Sequence, residues 1–463
     1  MPLIVIFAIH IFFISINLAV ANTGVSERAP DVVFYVGLTE PCCGEDSHPV
    51  HGMQTADGGY VLVGKSADSS GNSDGFIVKL QPDNWQGTFM ISTAQFSQSA
   101  WVQTMGTRGY MDGLNNVAAT DSAIFAAGFV HANDGTIDRY LAKHNISTGT
   151  RIWEAVLSDP ITGRDGAIES IVVTRTGGLI VTGVINAHSG TLEGFKSYGN
   201  SVDGQAYLAY FSTAQLDANH PPAAPMWLTL LPESVSGKAV REVNDVVGGY
   251  VVAARSIDEG PARVIRISPN GQIAWSKIYP DHGEVTDIAI LRVGTQATGF
   301  ALTGHRGGYQ EGIDGSVTYL NLKGDVCHHK TVGNPLGGIG QFSGLDAGNP
   351  KLIFDECWGI HATTDGGVVV ACGTGIEGCD AWRLGSAIRK QCDRDLRITW
   401  RSLIVKLNAD GDRIWHRVDS FLEEAEEKAP DTAAEYVSFT HEGAVIATID
   451  QGFGIGLMVL ESN

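Results

Sequence analysis

Seven acidic residues, Asp46, Asp112, Asp165, Glu242, Glu284, Glu356 and Glu435, recur along this 463-residue sequence, each just before or at the start of an alternating apolar run. Carboxylates ringed round one opening would attract a cation or a basic partner. A pair of them ~5 to 9.5 Å apart could cleave a glycosidic bond. The competing reading is local, because an acid at a strand entry accepts N–H bonds from its own loop, as Asp does in turns generally. Asp68, Asn72 and Asp74 offer oxygen ligands at spacings a Ca²⁺ loop could use, without the regular alternation or the distal Glu of an EF-hand. A polar connector is the alternative there. Fourteen His form neither His-Glu-x-x-His nor a Cys-x-x-Cys zinc spacing, and no nucleophile elbow or phosphate loop appears. No cofactor is therefore expected, with Ca²⁺ the one ion the spacing allows.

Seven Cys bear on the compartment. Leu3 to Ala21 is apolar and ends in Ala19-Val20-Ala21, the small residues a signal peptidase reads. Residues 1–21 thus read as a signal peptide, and 22–463 as one secreted domain. The n-region has no Lys or Arg, so an N-terminal anchor is the alternative; no later run of ~18 apolar residues could span a bilayer. Cysteines of an exported chain tend to be oxidised. Cys357 and Cys372 flank a hairpin turn at Asp365-Gly366 almost symmetrically, and Cys379 with Cys392 would staple one insertion. Cys42 and Cys43 are adjacent, forming a vicinal pair or sending one sulfur to Cys327; one Cys is left over in any scheme. Asn145-Ile146-Ser147 is a glycosylation sequon.

The elements that would position these residues repeat. Asp57-Gly58-Gly59-Tyr60-Val61-Leu62-Val63-Gly64 sets a phrase of turn, apolar run and Gly. It returns at Gly177 to Gly183, Gly248 to Ala254 and Asp365 to Gly373, with weaker copies at Ala123 to Gly128, Gly299 to Gly304 and Gly443 to Thr448. An alternating run precedes each copy. A third run follows, such as Ser402-Leu403-Ile404-Val405-Lys406-Leu407, then a polar turn such as Asn408-Ala409-Asp410-Gly411. The fourth run usually carries Trp: Trp101, Trp153, Trp227, Trp275 and Trp415; the fifth unit has His329 instead. With 57 Gly against the ~7% of average chains, and only 18% charged residues, the composition favours strands and turns over long solvated helices.

Short β-runs in groups of four read as propeller blades. The last unit stops after three strands, while an orphan strand, Asp31 to Val36, precedes the first. The expected fold is all-β: a seven-bladed β-propeller of four-stranded antiparallel blades, closed by the N-terminal strand completing the last blade. The Asp-Gly-Gly-Tyr turn, the Val-Lys-Leu strand, the Asn-Ala-Asp-Gly turn and the Trp that follows resemble the exported repeat propellers, similar to the kelch and quinoprotein-like superfamilies. That resemblance covers Asp31 to Asn463. It implies a fold, not a reaction.

Long connections fall between second and third strands and between blades, on one face of the disc: Val184 to Gln205, Gly333 to Glu356, Thr374 to Arg401 and Asp419 to Glu435. Loops on a rigid scaffold carry function, so this face is the expected contact surface. Tyr198, Trp382 and Trp400 in the insertions would suit sugar stacking or would anchor the insertions. A net charge of −20 argues against nucleic acid as a partner. The leading expectation is a secreted, non-enzymatic module binding an extracellular protein or glycan in adhesion, matrix or assembly. The alternatives are a polysaccharide-active hydrolase and, further off, a quinone-dependent dehydrogenase, to which a vicinal Cys42-Cys43 disulfide would point.

Overall fold

The computed structural model describes residues 28–462, apart from 40–45, 68–71, 83–86, 92–99, 108, 133, 159–160, 162, 189–202, 258–260, 309–311, 334–353, 376–399, 420–431 and 452–453. The expected signal peptide, Cys42, Cys43, Asp68, Tyr198, Cys379, Trp382 and Cys392 lie outside the described residues. Among those described, no helix is long and apolar enough to cross a membrane.

Strands account for nearly all regular structure. Asp46–Gln54, Tyr60–Ala67, Ser73–Leu80 and Trp101–Met105 form an antiparallel sheet in chain order. The order repeats from Gly113–Ala119 to Arg151–Leu157, from Arg164–Val173 to Trp227–Leu230 and from Ser234–Glu242 to Ile273–Tyr279. Two further groups of four begin at Glu284–Val293 and Phe354–Ala362 and touch through one parallel bridge, Ile313 with Phe354. Ala433–Phe439, Val445–Asp450 and Gly454–Leu460 are joined by Val32–Thr39, which runs antiparallel with Phe34 opposite Val459 and Val36 opposite Leu457. First strands pack on the sheets before and after them, and buried apolar side chains fill the gaps. This is the architecture of a β-propeller.

Each part of the repeated phrase has a physical cause. The turn Asp collects bonds from its own turn and from a cation on the third strand: Asp57 accepts from Thr55, Gly59 and Lys79. Asp365 accepts from Thr363, Gly367 and Lys406, and Asp245 from Gly248 and Arg266. The Lys of the Val-Lys-Leu strand is thus the counter-ion of the Asp-Gly-Gly turn, and Lys79 is wholly buried.

The terminal Gly answers a different need. Opposite it every first strand is bulged, as between Pro49 and His51, Leu114 and Asn116, and Val285 and Asp287. A Cβ on Gly64, Gly128 or Gly304 would overlap the carbonyl of His48, Gly113 or Glu284. The bulge turns a side chain toward the next first strand: Asn115 donates to the Ile168 carbonyl and Thr286 to that of Cys357, each at 2.9 Å. In the sixth group Cys357 and Cys372 occupy the facing positions and are disulfide-bonded.

The fourth-strand Trp belongs to the joint between sheets. Trp101, Trp227 and Trp275 lie where a Cβ on Gly149, Gly271 or Gly324 would fall, each in the third-to-fourth turn of the next sheet and each at positive φ. In the fifth group Lys330 covers Gly411 in that way. His329 bonds Thr318 at 2.8 Å and His328 bonds the Ala409 carbonyl at 3.1 Å, in the next sheet's turn.

Two third-to-fourth connections are longer than the pattern suggests. One contains Gly87–Ile91, which adds a parallel fifth strand outside Val32–Thr39 and covers that edge. The other holds the helix Thr213–Asp217, capped by Ser212 and Gln215, with Leu216 buried in the cluster of Trp153.

Candidate functional site

The strand entries converge at one end of the stacked first strands. Asp46 opens the first of them. Asp112 is fully buried and accepts the N–H groups of Thr107 and His131. Asp165, equally buried, accepts the Ile137 N–H at 3.0 Å. Asp165 is held by backbone, and Asp112 by backbone and by the His131 ring, whose Nδ1 lies 3.6 Å from its carboxylate.

Others at this end meet histidines. Glu284 faces His305 at 3.6 Å. Burial pushes its carboxyl up, but the facing His305 imidazole, with Lys238 and Arg255, outweighs that and holds it at about 2. Glu356 adds negative charge that helps raise the His305 imidazole. His48 stands between Asp450 at 2.8 Å and Glu435 at 3.6 Å. Burial opposes its protonation, yet the two carboxylates lift it to about 10. One imidazole nitrogen and two carboxylate oxygens within 4.8 Å are a donor set a divalent cation could use. The two ring nitrogens each face a different carboxylate, which suits a held imidazolium.

Glu242 departs from the expected ring. It is the last residue of Ser234–Glu242, so it sits at the opposite mouth, bound to Arg175 at 3.3 Å. Only six of the seven acids therefore belong to the strand-entry end. Glu169, which the spacing did not single out, is the bulge residue of its first strand. Burial lifts its carboxyl to about 7 against the pull of Lys238 and Lys65, and its Oε1 has no hydrogen-bond partner among the described residues.

The opposite mouth holds a cavity of about 280 Å³. Arg175, Arg241 and Arg292 line it with Glu242 and His361, over walls that include Val172, Ile290 and Ile360. Arg241 reaches across to Asp287 at 2.6 Å and to the Tyr436 hydroxyl at 3.2 Å. Burial, with Arg241 and Arg292 nearby, depresses the His361 imidazole to about 4, so it is neutral at pH 7. These cations come from separate sheets, and no local motif joins them; a basic residue near the end of an alternating run is the only trace in the sequence.

The remaining expected residues are scattered. Asn72 and Asp74 are half-buried at the head of Ser73–Leu80. The Asn145 side chain accepts bonds from Ser147 and Thr148 within its own turn. Trp400 is buried, edge-on to Trp358 at 6.1 Å, so it packs inward and presents no stacking face. Cys327 is exposed and free among the described residues. Tyr110 is 44% exposed beside Asp112, its ring stacked on His131 at 5.2 Å.

No protein family matches the chain, and no curated protein does. Solved structures do share its outline. BamB from Moraxella catarrhalis is 11% identical over 90% of this chain and 100% of its own, with a TM-score of 0.35. BBS1N, solved in complex with ARL6DN, is 11% identical over 94% and 98%, at 0.45. A quinohemoprotein alcohol dehydrogenase from Pseudomonas putida HK5 is 10% identical over 92% and 67%, at 0.44. All three are β-propellers.

Proposed function

We propose that this chain is a secreted, seven-bladed propeller, its ring closed by Val32–Thr39, that works as a non-enzymatic binding module for an extracellular glycan or protein. Supporting closure, Ala433–Phe439 packs on Asp46–Gln54 as other consecutive first strands pack on each other. The observation that carries the function is the commitment of the strand-entry acids. Asp112 and Asp165 serve backbone N–H groups, and Asp112, Glu284 and Glu435 face histidines of their own chain. A hydrolase needs one carboxylate free to give a proton and one free to attack or to activate water. Tyr110 supplies the complementary feature, a flat ring displayed at the same end, suited to stacking on a sugar.

A glycan array run beside a polysaccharide hydrolysis screen tests this. Saturable binding without turnover, weakened roughly tenfold by Tyr110→Ala (~1.4 kcal/mol), is expected. Turnover in the wild type would end the reading.

Glu169 favours a second one. A buried carboxyl with a pKa of about 7 and an unpartnered oxygen has the character of a general acid. Hydrolysis abolished by Glu169→Gln would establish that alternative.

A further inference from the structure

The mouth away from the strand entries carries cationic groups that the binding reading leaves unused. Three guanidiniums line its cavity against one carboxylate, in a chain whose net charge is −20. Two are already engaged: Arg175 with Glu242 and Asn244, and Arg241 with Asp287. Arg292 has no ion-pair or hydrogen-bond partner among the described residues. It is half-buried; burial and nearby Arg175 work against its charge, and Glu242 offsets them only in part. A guanidinium is not neutralised by giving up its proton in a protein, so an external anion is what would relieve it.

The surroundings restrict that anion. Val172, Val173, Ala289, Ile290, Ile360 and Ala362 make the walls. Asn244 also lines the cavity, and its side chain and carbonyl bond Thr295 and Ala297, tying two turns together. Those turns carry Val246, Val247 and Val293, 96%, 69% and 71% exposed. β-Branched aliphatics so fully in water beside a cationic cavity suit a ligand with an apolar body as well as a charge. About 280 Å³ lies at the small end of ligand sites, and admits a compact molecule.

We propose that this mouth binds a small organic carboxylate, its charged group on Arg292 beside Arg175 and its apolar body against Ile290, Ile360 and the exposed valines. The planar fork of Arg292 would meet the two carboxylate oxygens side by side. The site is separate from the strand-entry end, so it does not depend on the glycan or protein reading.

Calorimetric titration of the full chain with hexanoate, hexanamide and inorganic phosphate tests the assignment. Hexanoate should bind saturably, hexanamide at least tenfold more weakly, and Arg292→Gln should lose hexanoate binding by a similar factor. Lys277→Gln, which removes the same charge from a fourth strand, should bind as wild type does. An unchanged melting temperature for Arg292→Gln ensures that its loss is not unfolding. Three results would overturn the proposal: no saturable hexanoate binding, equal affinity for hexanamide, or wild-type affinity in Arg292→Gln. Phosphate binding without hexanoate binding would overturn it too and point to a phosphate site.

Discussion

Arg241 and Asp287 join two sheets of the propeller at 2.6 Å, and Asp287 also accepts the N–H groups of Ile288 at 2.7 Å and Ile360 at 3.1 Å. One buried carboxylate thus ties the first strands Ser234–Glu242, Glu284–Val293 and Phe354–Ala362. Asp287→Ala leaves a buried guanidinium and two N–H groups without their acceptor. Removing one partner of such a pair costs about 3–5 kcal/mol. Asp287→Asn, which keeps one acceptor oxygen, should lose less. Urea unfolding of the three proteins measures this, and equal midpoints would refute the tie.

The Cys357–Cys372 disulfide stands where other groups set a glycine against the bulge of the first strand. It closes a separation of 15 residues between two fully buried positions. For a loop of that length the cross-link contributes about 3 kcal/mol. Replacing both by Ala should lower the melting temperature by several degrees and reduce its sensitivity to reductant. A wild-type melting curve that does not move in dithiothreitol, with the bond shown to be reduced, would argue against a stabilising role.

Much of this scaffold was legible because its cues are local. Asp57, Gly58 and Gly59 mark a turn by themselves, and Trp101 or Trp415 marks a fourth strand. What the phrase could not reveal was its partner across space: that Lys79 neutralises Asp57, or that Trp101 lies on Gly149 of the next sheet. Glu242 was misplaced for a related reason. Its strand, Ser234–Glu242, contains Gly237 and Ala239, whose small side chains weaken the apolar alternation, while Val243, Val246 and Val247 just after it imitate a strand entry. Arg175, Arg241 and Arg292 were not legible as a group, since each becomes a neighbour of the others only once separate sheets are stacked.

Gly304 offers a direct check on the bulge. A Cβ there would overlap the Glu284 carbonyl, and neither backbone can move without breaking the pairing of Glu284 with His305 and Val285 with Gly304. Gly304→Ala should therefore cost about 1–3 kcal/mol, the range for overpacking a filled interior. The fourth sheet has Ala254 at the corresponding place, but faces it with Gly237. Gly58→Ala meets no neighbouring atom and is strained only by its φ of 81°, so it should cost less than Gly304→Ala. Denaturant midpoints in the reverse order would contradict this account of the terminal glycine.

The Glu284–His305 pair gives the protein a pH signature whose sign follows from the two shifts. Glu284 falls from 4.5 to about 2 on folding, because His305 and the cations Lys238 and Arg255 outweigh burial. A depressed carboxyl contributes stability that is present above pH 4.5 and is lost as pH falls toward 2. His305 moves the other way. Burial lowers its pKa, but Glu284 and Glu356 raise it above 6.5, so its contribution is present below pH 6.5 and is lost as pH rises through the raised value. The two overlap between pH 4.5 and 6.5, where the pair should stabilise most. Glu284 is about a third exposed, so after screening by solvent its share is on the order of 1 kcal/mol. Glu284→Gln should be less stable than wild type by that amount at pH 5.5 and should converge with it near pH 2. Parallel stability curves for the two proteins from pH 6 to pH 2 would show that the pair contributes nothing.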